Sequence, residues 1–283
     1  MNKFLQAIIR GYLPADFPDD EYESTSDNKK CNDNVMLNIK REIRNVRSEL
    51  TDNSPKFCLN KMGFALVPGK HIQETTPNFQ RLAFNDACEA VQGIMDQPHE
   101  LFADSKFITI RNSRDGNVVP CLHSDYGVSL ENFWRSLVVF TQLEHANKWL
   151  TGFARPEVCA YYDFNVWRIL QPNYDDYMPL GMILKDSIDS KDIVFGRTRH
   201  PNSPDGRRNS FVRLRYSPRH DWCYVSGFKN DEMLIFKSFE LSKDESAKFQ
   251  PGCVHAAVDN SFRKFRIASR VSCEYRIGVF IFR

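Results

Sequence analysis

The sequence R-I-A-S-R-V-S-C-E-Y-R-I-G-V-F-I-F occupies residues 266–282 and alternates polar with apolar side chains over much of its length. Side chains two residues apart on a β-strand lie on the same face. One face therefore carries polar residues: Arg266, Ala268, Arg270, Ser272, Glu274 and Arg276. The opposite face is apolar. This pattern predicts a strand that packs one face on a core, while its polar face either meets solvent or lines a cavity.

The same strand-like character extends back to Val158. Apolar or alternating runs are separated there by Pro, Gly, Asn and Asp, which is typical of short strands joined by turns. The runs cover Cys159–Leu170, Leu180–Leu184, Phe211–Tyr216, Trp222–Val225, Met233–Phe239 and Arg266–Phe282. An earlier strand is expected at Phe107–Ile110, followed by a turn and Val118-Val119.

Helical spacing dominates the first half of the chain. Apolar residues recur every three or four positions in 35–50, 78–95 and 131–150, which predicts three amphipathic helices. Residues 1–34 are rich in turn-forming and charged residues and are expected to form a loosely packed arm. Residues 35–283 are expected to form one domain.

Helices followed by many short strands favour an α+β fold that is mainly β. A β-sandwich or barrel with helices on one side satisfies this order of elements. Composition agrees, because 42% hydrophobic and 26% charged residues are typical of a globular protein.

Charge and cysteine content exclude several classes of protein. A formal charge of +2 argues against a whole-chain nucleic-acid or membrane-surface binder. No apolar run reaches the length of a membrane span. The 8 Cys are scattered without a C-x-x-C pair, so we expect reduced thiols in a cytoplasmic protein.

A metal site is indicated by His123-Ser124-Asp125. An imidazole and a carboxylate two residues apart on a strand can bind one ion. Two histidines and one carboxylate leave open positions on iron(II), where oxygen chemistry takes place. Among the later histidines, His200 and His220 lie in loop-like surroundings, whereas His255 stands where a turn enters an apolar strand. His255 is therefore the expected third ligand.

Arg270 and Ser272 share the polar face of the last strand and form a candidate acid clamp. A guanidinium binds a carboxylate through two parallel hydrogen bonds, and a hydroxyl on the same face adds a third. Arg276 lies on that face too and is an alternative clamp, although its distance from His255 along the chain fits less well.

These residues together resemble the iron(II)/2-oxoglutarate-dependent oxygenase superfamily: His123-x-Asp125, then His255, then Arg270-x-Ser272. A narrower resemblance, over about Lys61–Phe282, is to the hydroxylase/desaturase family of natural-product biosynthesis, which includes relatives of cephalosporin methoxylase components. The matching segments are Gly63-Phe64, Thr109-Ile110-Arg111, 123–126, Asn165-Val166-Trp167-Arg168, Trp222-Cys223-Tyr224, 231–237 and 270–276.

The resemblance implies a double-stranded β-helix (jelly-roll) core with packing helices from the N-terminal part. It implies iron(II) at His123, Asp125 and His255, with 2-oxoglutarate held by Arg270 and Ser272. It also implies O2-dependent hydroxylation, desaturation or oxidative cyclisation of a small natural-product-type substrate, with succinate as coproduct. The chain departs from the family at Ile169, where proline is usual, and at 236–242, and both departures bear on the substrate pocket.

Five residues are candidate substrate contacts: Asn165, Trp167, Arg168, Tyr126 and Arg276. Alternation puts Asn165 and Trp167 on one face and Arg168 on the other. Core packing is an equal option for Trp167, and Tyr126 either hydrogen-bonds beside Asp125 or packs.

Two alternatives stay open. One is an iron-dependent oxidase of the same fold that does not use 2-oxoglutarate, in which Arg270 and Ser272 hold a substrate carboxylate. The other concerns the segment 196–220, which carries seven arginines. It is either a mobile connection near the mouth of the site or a basic loop for phosphate, nucleic acid or an anionic substrate. We expect neither a nucleic-acid nor a membrane partner, and a homo-oligomer is left open.

Overall fold

The structure is a computed structural model, and it describes residues 3–18, 22–24, 35–127, 129–173, 175–199, 208–244, 252–265 and 267–283. The helices are α1 (Arg47–Thr51), α2 (Pro55–Met62), α3 (Phe79–Ile94), α4 (Leu130–Phe140) and α5 (Leu143–Ala154). The strands are β1 (Phe4–Tyr12), β2 (Tyr22–Ser24), β3 (Leu37–Asn45), β4 (Phe64–Pro68), β5 (His99–Phe102), β6 (Ile108–Asn112), β7 (Val158–Ile169), β8 (Leu180–Ile183), β9 (Ile193–Arg199), β10 (Arg208–Leu214), β11 (Trp222–Tyr224), β12 (Glu232–Ser242), β13 (His255–Ala257) and β14 (Val271–Phe282).

The strands form three sheets. A six-stranded sheet has the order β4-β12-β7-β14, and β14 pairs further with both β5 and β6. A five-stranded sheet has the order β1-β3-β11-β8-β13, and a three-stranded sheet has the order β10-β9-β2. Met182 and Cys223 of the five-stranded sheet share one apolar cluster with Trp167 and Phe236 of the six-stranded sheet. The two larger sheets therefore face each other across an interior.

The polar face of β14 points into that interior. β14 pairs antiparallel with β7, with Ser272 opposite Ile169 and Arg276 opposite Asn165. Its other face carries Cys273, Tyr275 and Ile277, which pack in one cluster with Ala83, Ala87 and Val91 of α3. The helix at 78–95 is confirmed, and the alternation predicted for 266–282 is confirmed from Val271 onward, whereas residues 267–270 precede the strand. The polar face of β14 lines a cavity instead of meeting solvent.

The prediction of a helix at 35–50 is wrong. Residues Leu37–Asn45 form strand β3, which pairs antiparallel with β1 so that Ile9 lies opposite Ile39 and Leu5 opposite Ile43. The spacing of four between Ile39 and Ile43 suits a helix, but it is also an even number and therefore suits one face of a strand. Pairing with a distant strand decided between the two.

The loosely packed arm expected at 1–34 is wrong for the residues of β1. Leu5, Ala7 and Ile9 are at most 3% exposed and pack in the core of the five-stranded sheet. Their alternation is that of a half-buried strand, which the turn-rich residues after Tyr12 obscured. Residues 19–21 and 25–34 lie outside the described residues.

One helix was expected at 131–150, and the structure has two. Thr141 leaves the helical region, with φ −125° and ψ −113°, and its hydroxyl donates to the carbonyl of Leu137 at 2.6 Å. The break lets α4 and α5 fold against each other, so that the rings of Phe133 and Trp149 lie 4.9 Å apart. Val118 and Val119, expected to form a strand, lie in neither a helix nor a strand.

The arginine-rich segment is not a single loop. Ile193–Arg199 and Arg208–Leu214 pair antiparallel as β9 and β10, while residues 200–207 lie outside the described residues. Arg213 is fully buried and donates to the carbonyl of Leu122. Arg215 is 6% exposed and donates to the carbonyl of Phe17 at 2.6 Å. These two arginines stabilise backbone and do not contribute to an exposed basic surface.

Cysteine chemistry differs from expectation at one position. Cys121 is disulfide-bonded, so the expectation of eight reduced thiols is wrong there. The thiols of Cys58, Cys88, Cys159, Cys223, Cys253 and Cys273 are free.

The helices of the described ranges include none with the length and apolar character of a membrane span.

A buried hydrogen-bond chain ties β1 to the rest of its sheet. The indole N–H of Trp222 donates to the Tyr12 hydroxyl at 2.7 Å, and Tyr12 contacts Nδ1 of His220 at 2.9 Å. Nε2 of His220 lies 3.1 Å from the Asp192 carboxylate. Because a carboxylate only accepts, Nε2 carries the proton and Nδ1 accepts from Tyr12.

Replacing Tyr12 by Phe is expected to lower the free energy of unfolding by about 2 kcal/mol, because the buried Trp222 N–H and His220 Nδ1 lose their partner. Urea denaturation measures this loss. Tyr216→Phe is the control, since its ring also contacts Tyr12, with 5.5 Å between the centroids. An equal loss in both variants would contradict a specific role for the chain.

Candidate metal centre

His123, Asp125 and His255 come together in the interior. Their ligand atoms all lie within 4.8 Å of one another. Asp125 and His255 are buried, and His123 is partly buried. His123 and His255 face each other across an antiparallel bridge, with backbone N–H···O distances of 3.1 and 3.0 Å. His255 also lies opposite Met182 in the β13–β8 pairing, so both imidazoles share the face that looks toward the six-stranded sheet.

Backbone carbonyls orient both imidazoles. Nδ1 of His123 lies 2.8 Å from the carbonyl of Cys121, and Nδ1 of His255 lies 3.0 Å from the carbonyl of Cys253. A carbonyl only accepts, so each Nδ1 carries the proton and each Nε2 keeps its lone pair for a metal. Burial, followed by the charge of His255, lowers the pKa of His123, which favours the neutral ligand form.

Two side chains hold the Asp125 carboxylate. The Asn165 amide donates to Oδ2 at 2.7 Å, and the Arg276 guanidinium donates to Oδ1 at 3.2 Å. Burial by itself raises the pKa of Asp125, but the charge of Arg276 brings it well below the usual value. Asn165 and Arg276 both hold the carboxylate of a candidate metal ligand, and their expected contact with substrate stays a prediction.

The acid clamp is buried, and two of its donors make no hydrogen bond. Arg270 is 3% exposed and Ser272 is fully buried. One arm of the Arg270 guanidinium donates to the carbonyl of Met178, whereas Nε of Arg270 and Oγ of Ser272 have no hydrogen-bond partner among the described residues. Unpaired buried donors are costly, and a carboxylate would satisfy both. The residues present therefore fit the distal carboxylate of 2-oxoglutarate.

Arg111 adds a second cation to the clamp, and its role was missed from the sequence. It lies directly opposite Ser272 in the β6–β14 pairing. Burial, and then the charge of Arg111, lowers the pKa of the Arg270 guanidinium to about 10. The alternation of Thr109 and Arg111 next to a polar strand face was the available signal. An anion between these groups would relieve the repulsion between the two guanidinium groups.

Trp167 and Arg168 lie on opposite faces of β7, as alternation predicted. Trp167 is 5% exposed and packs against Phe228 at 5.0 Å, and the Arg270 guanidinium lies 5.7 Å from its ring. Its ring therefore packs against the Arg270 guanidinium of the clamp. Arg168 faces away from the interior and pairs with Asp86 at 2.7 Å. The expectation that Arg168 contacts substrate is therefore wrong: its charge is already satisfied on the α3 side of the sheet.

Tyr126 packs beside the metal centre without bonding to it. Its ring lies 4.7 Å from that of Phe133. Its hydroxyl is buried and makes no hydrogen bond within the described ranges. Of the two options for Tyr126, packing is the one the structure has.

Comparisons of sequence place the chain near known oxidoreductases. Residues 155–280 match the family model described as "Oxidoreductase/YMDC permease-like domain". The "Hydroxylase/desaturase asaB" of Aspergillus flavus is 31% identical over 125 residues, which are 41% of this chain. The match spans about half the length of that relative, 53%. The chain is thus similar to a hydroxylase/desaturase over the matched segment.

Solved structures agree over the whole chain. An iron and alpha-ketoglutarate-dependent endoperoxidase, NvfI, "with different conformation", matches with a TM-score of 0.69 and 18% identity over 100% of both chains. A second structure of NvfI matches with a TM-score of 0.68 and 18% identity over 99% of both chains. The chain has the double-stranded β-helix fold. The predicted jelly-roll core is confirmed, and in the described residues the α-helices all precede residue 155.

Asn165→Leu is expected to weaken binding of a divalent metal by about 10- to 100-fold, because a near-isosteric side chain no longer donates to Asp125. Calorimetric titration with Fe²⁺ under anaerobic conditions measures the affinity. Thr109→Val serves as the control, since Thr109 lies on the same interior face, opposite Glu274. Unchanged affinity in Asn165→Leu would contradict a positioning role.

Proposed function

We propose that this chain is an iron(II)- and 2-oxoglutarate-dependent oxygenase acting on a small natural-product-type molecule by hydroxylation, desaturation or oxidative cyclisation. The observation that carries the proposal is the pairing of two features in one interior. A buried His-Asp-His set has both Nε2 atoms available. A buried Arg-Ser clamp has unpaired donors.

His123, Asp125 and His255 would hold the iron. Their two neutral nitrogens and one carboxylate oxygen match the donor set that leaves open positions on iron(II). Bound iron, with 2-oxoglutarate and O2, would supply an oxidant able to remove a hydrogen atom from substrate. Asn165 and Arg276 keep the Asp125 carboxylate aimed and ionised, so the protein sets the ligand geometry before a metal arrives.

Arg270, Ser272 and Arg111 would hold 2-oxoglutarate by its distal carboxylate. The depth of Arg270, at 3% exposure, keeps competing water from its donors and strengthens each charge-assisted hydrogen bond. Trp167 limits the freedom of the guanidinium from one side. The clamp therefore orients the cosubstrate as well as binding it.

The solved neighbours and the curated relative support this reaction class, since their names give an iron and alpha-ketoglutarate-dependent endoperoxidase and a hydroxylase/desaturase. A cytoplasmic location stays a prediction, and the oligomeric state is left open.

We expect the protein loaded with Fe²⁺ under anaerobic conditions to bind 2-oxoglutarate, and Arg270→Ala to weaken this binding by about 30-fold or more, because a buried charge pair is lost. Calorimetry on the loaded protein measures both affinities. Arg114→Ala is the matched control, because Arg114 is an exposed arginine of the 113–115 turn.

His255→Ala is expected to abolish both iron binding and succinate production from 2-oxoglutarate, because one of three ligands is removed. Metal analysis and succinate assay measure the two losses, with His99→Ala as the control, since His99 lies on β5 away from the metal ligands. Iron binding without any 2-oxoglutarate binding would instead support the iron-dependent oxidase, with the same clamp holding a substrate carboxylate. Absence of iron binding would contradict both.

A further inference from the structure

A cavity of about 170 Å³ lies beside the candidate metal centre, and neither Arg270 nor Ser272 lines it. The residues between β5 and β6, the helices α4 and α5, and the inner face of the six-stranded sheet enclose it. Arg276, which holds Asp125, forms part of its wall. Arg270 directly precedes β14 and lies six residues before Arg276, roughly 20 Å along an extended chain. The cavity and the clamp are therefore separate sites.

Rings form the apolar wall of this cavity. Phe102, Phe107 and His145 meet there, with the imidazole ring centre 4.4 Å from that of Phe102 and 5.0 Å from that of Phe107. Phe140 closes another side, and the Arg276 guanidinium lies 4.2 Å from its ring centre. An engineered cavity of about 150 Å³ lined by apolar side chains is known to bind benzene. The space therefore suits a molecule, or part of one, of about one six-membered ring.

Two polar groups of the wall are unused. Tyr126 is 1% exposed, and its hydroxyl has no hydrogen-bond partner in the described parts of the chain. Nε of Arg276 is buried and makes no hydrogen bond there, with the nearest Glu274 oxygen 3.7 Å away. Both are donors, so a ligand oxygen that accepts hydrogen bonds would satisfy them.

Carboxyl groups outnumber the one guanidinium at the buried inner end of this cavity. The Arg276 guanidinium lies 3.2 Å from the Asp125 carboxylate and 3.7 Å from that of Glu274. The carboxyl group of Asp163, 2% exposed, also lines the cavity. Lys106 also lines the cavity, but it is exposed. At the buried inner end three carboxyl groups face the single guanidinium of Arg276, so a further negative charge would be repelled. This argues against the anionic substrate that the sequence left open.

We propose that this cavity is the substrate-recognition pocket of the metal centre and takes a neutral, ring-sized group carrying an oxygen acceptor. The inference rests on the proposed function for its link to the metal. The ring lies between Phe102, Phe107 and Phe140, and its oxygen accepts from Tyr126 and Arg276.

Benzamide and benzoate test the pocket, because they share a shape and differ in charge. Calorimetric titration of the full chain without metal is expected to show saturable binding of benzamide and binding of benzoate weaker by about 10-fold or more. Absence of benzamide binding, or equal affinity for the two probes, would overturn the proposal.

Tyr126→Phe separates recognition from packing. It is expected to weaken benzamide binding by about 3- to 10-fold, yet to leave thermal stability unchanged or raised, because the lost hydroxyl has no hydrogen-bond partner among the described residues. Tyr224→Phe is the control, a buried tyrosine of β11 that does not line the cavity. Unchanged benzamide affinity in Tyr126→Phe would overturn the assignment of the acceptor site.

Paramagnetic Mn²⁺ tests the link to the metal. With Mn²⁺ bound at the candidate centre, the proton relaxation of bound benzamide is expected to be strongly enhanced, and Asp125→Ala is expected to remove the enhancement. Benzamide binding without enhancement on the Mn²⁺-loaded protein would overturn the role of the cavity as the substrate pocket. Failure of Mn²⁺ and Fe²⁺ to bind at all, with benzamide still bound, would count against the proposed function instead.

Discussion

The antiparallel pairing of β7 with β14 is the constraint on which the site depends. It sets Asn165 opposite Arg276 and Ile169 opposite Ser272, so that one shared face carries nearly all of the polar groups around the metal centre. A shift of one residue would turn these groups toward α3 and bring Arg168 inward. The apolar cluster under α3 prevents that shift, because it needs Cys273, Tyr275 and Ile277 on the outer face.

This polar face is buried, so each of its polar groups needs a hydrogen-bond or charge partner. Several of its members are satisfied within the protein: Asn165 and Arg276 bond Asp125, and Arg276 is also near Glu274. Arg270 Nε, Ser272 Oγ and Tyr126 Oη have no partner in the described ranges. Because unsatisfied buried donors cost free energy in a folded chain, such groups point to a ligand. They fall into two places: Arg270 and Ser272 form the acid clamp, and Tyr126 lines the cavity beside Arg276.

Local sequence signals predicted the site better than they predicted the N-terminal half. His123, Asp125 and His255 could be found because a His-x-Asp pair on a strand has a recognisable spacing and His255 follows a turn into an apolar run. The helix α3 was found because its apolar stripe is long and uninterrupted. The helix prediction for residues 35–50 failed because a spacing of four apolar residues suits both a helix and a strand. Only pairing with β1 distinguishes the two structures.

The roles of second-layer residues needed the fold. Asn165 and Arg276 lie 40 and 151 positions from Asp125, and no pattern in the sequence links them to that carboxylate. Tyr126 adjoins Asp125 in sequence, yet its hydroxyl faces a different space. Arg111 became visible as part of the clamp only when β6 paired with β14.

The sequence by itself predicted the strand alternation, the three candidate metal ligands and the candidate Arg-Ser clamp, since each depends on spacings of two residues or on a local turn. Only the tertiary structure decided which polar groups are satisfied, that Arg168 bonds Asp86, and that a ring-sized space lies next to Arg276. Those features depend on contacts between segments that are far apart in the chain, and local periodicity carries no information about such contacts.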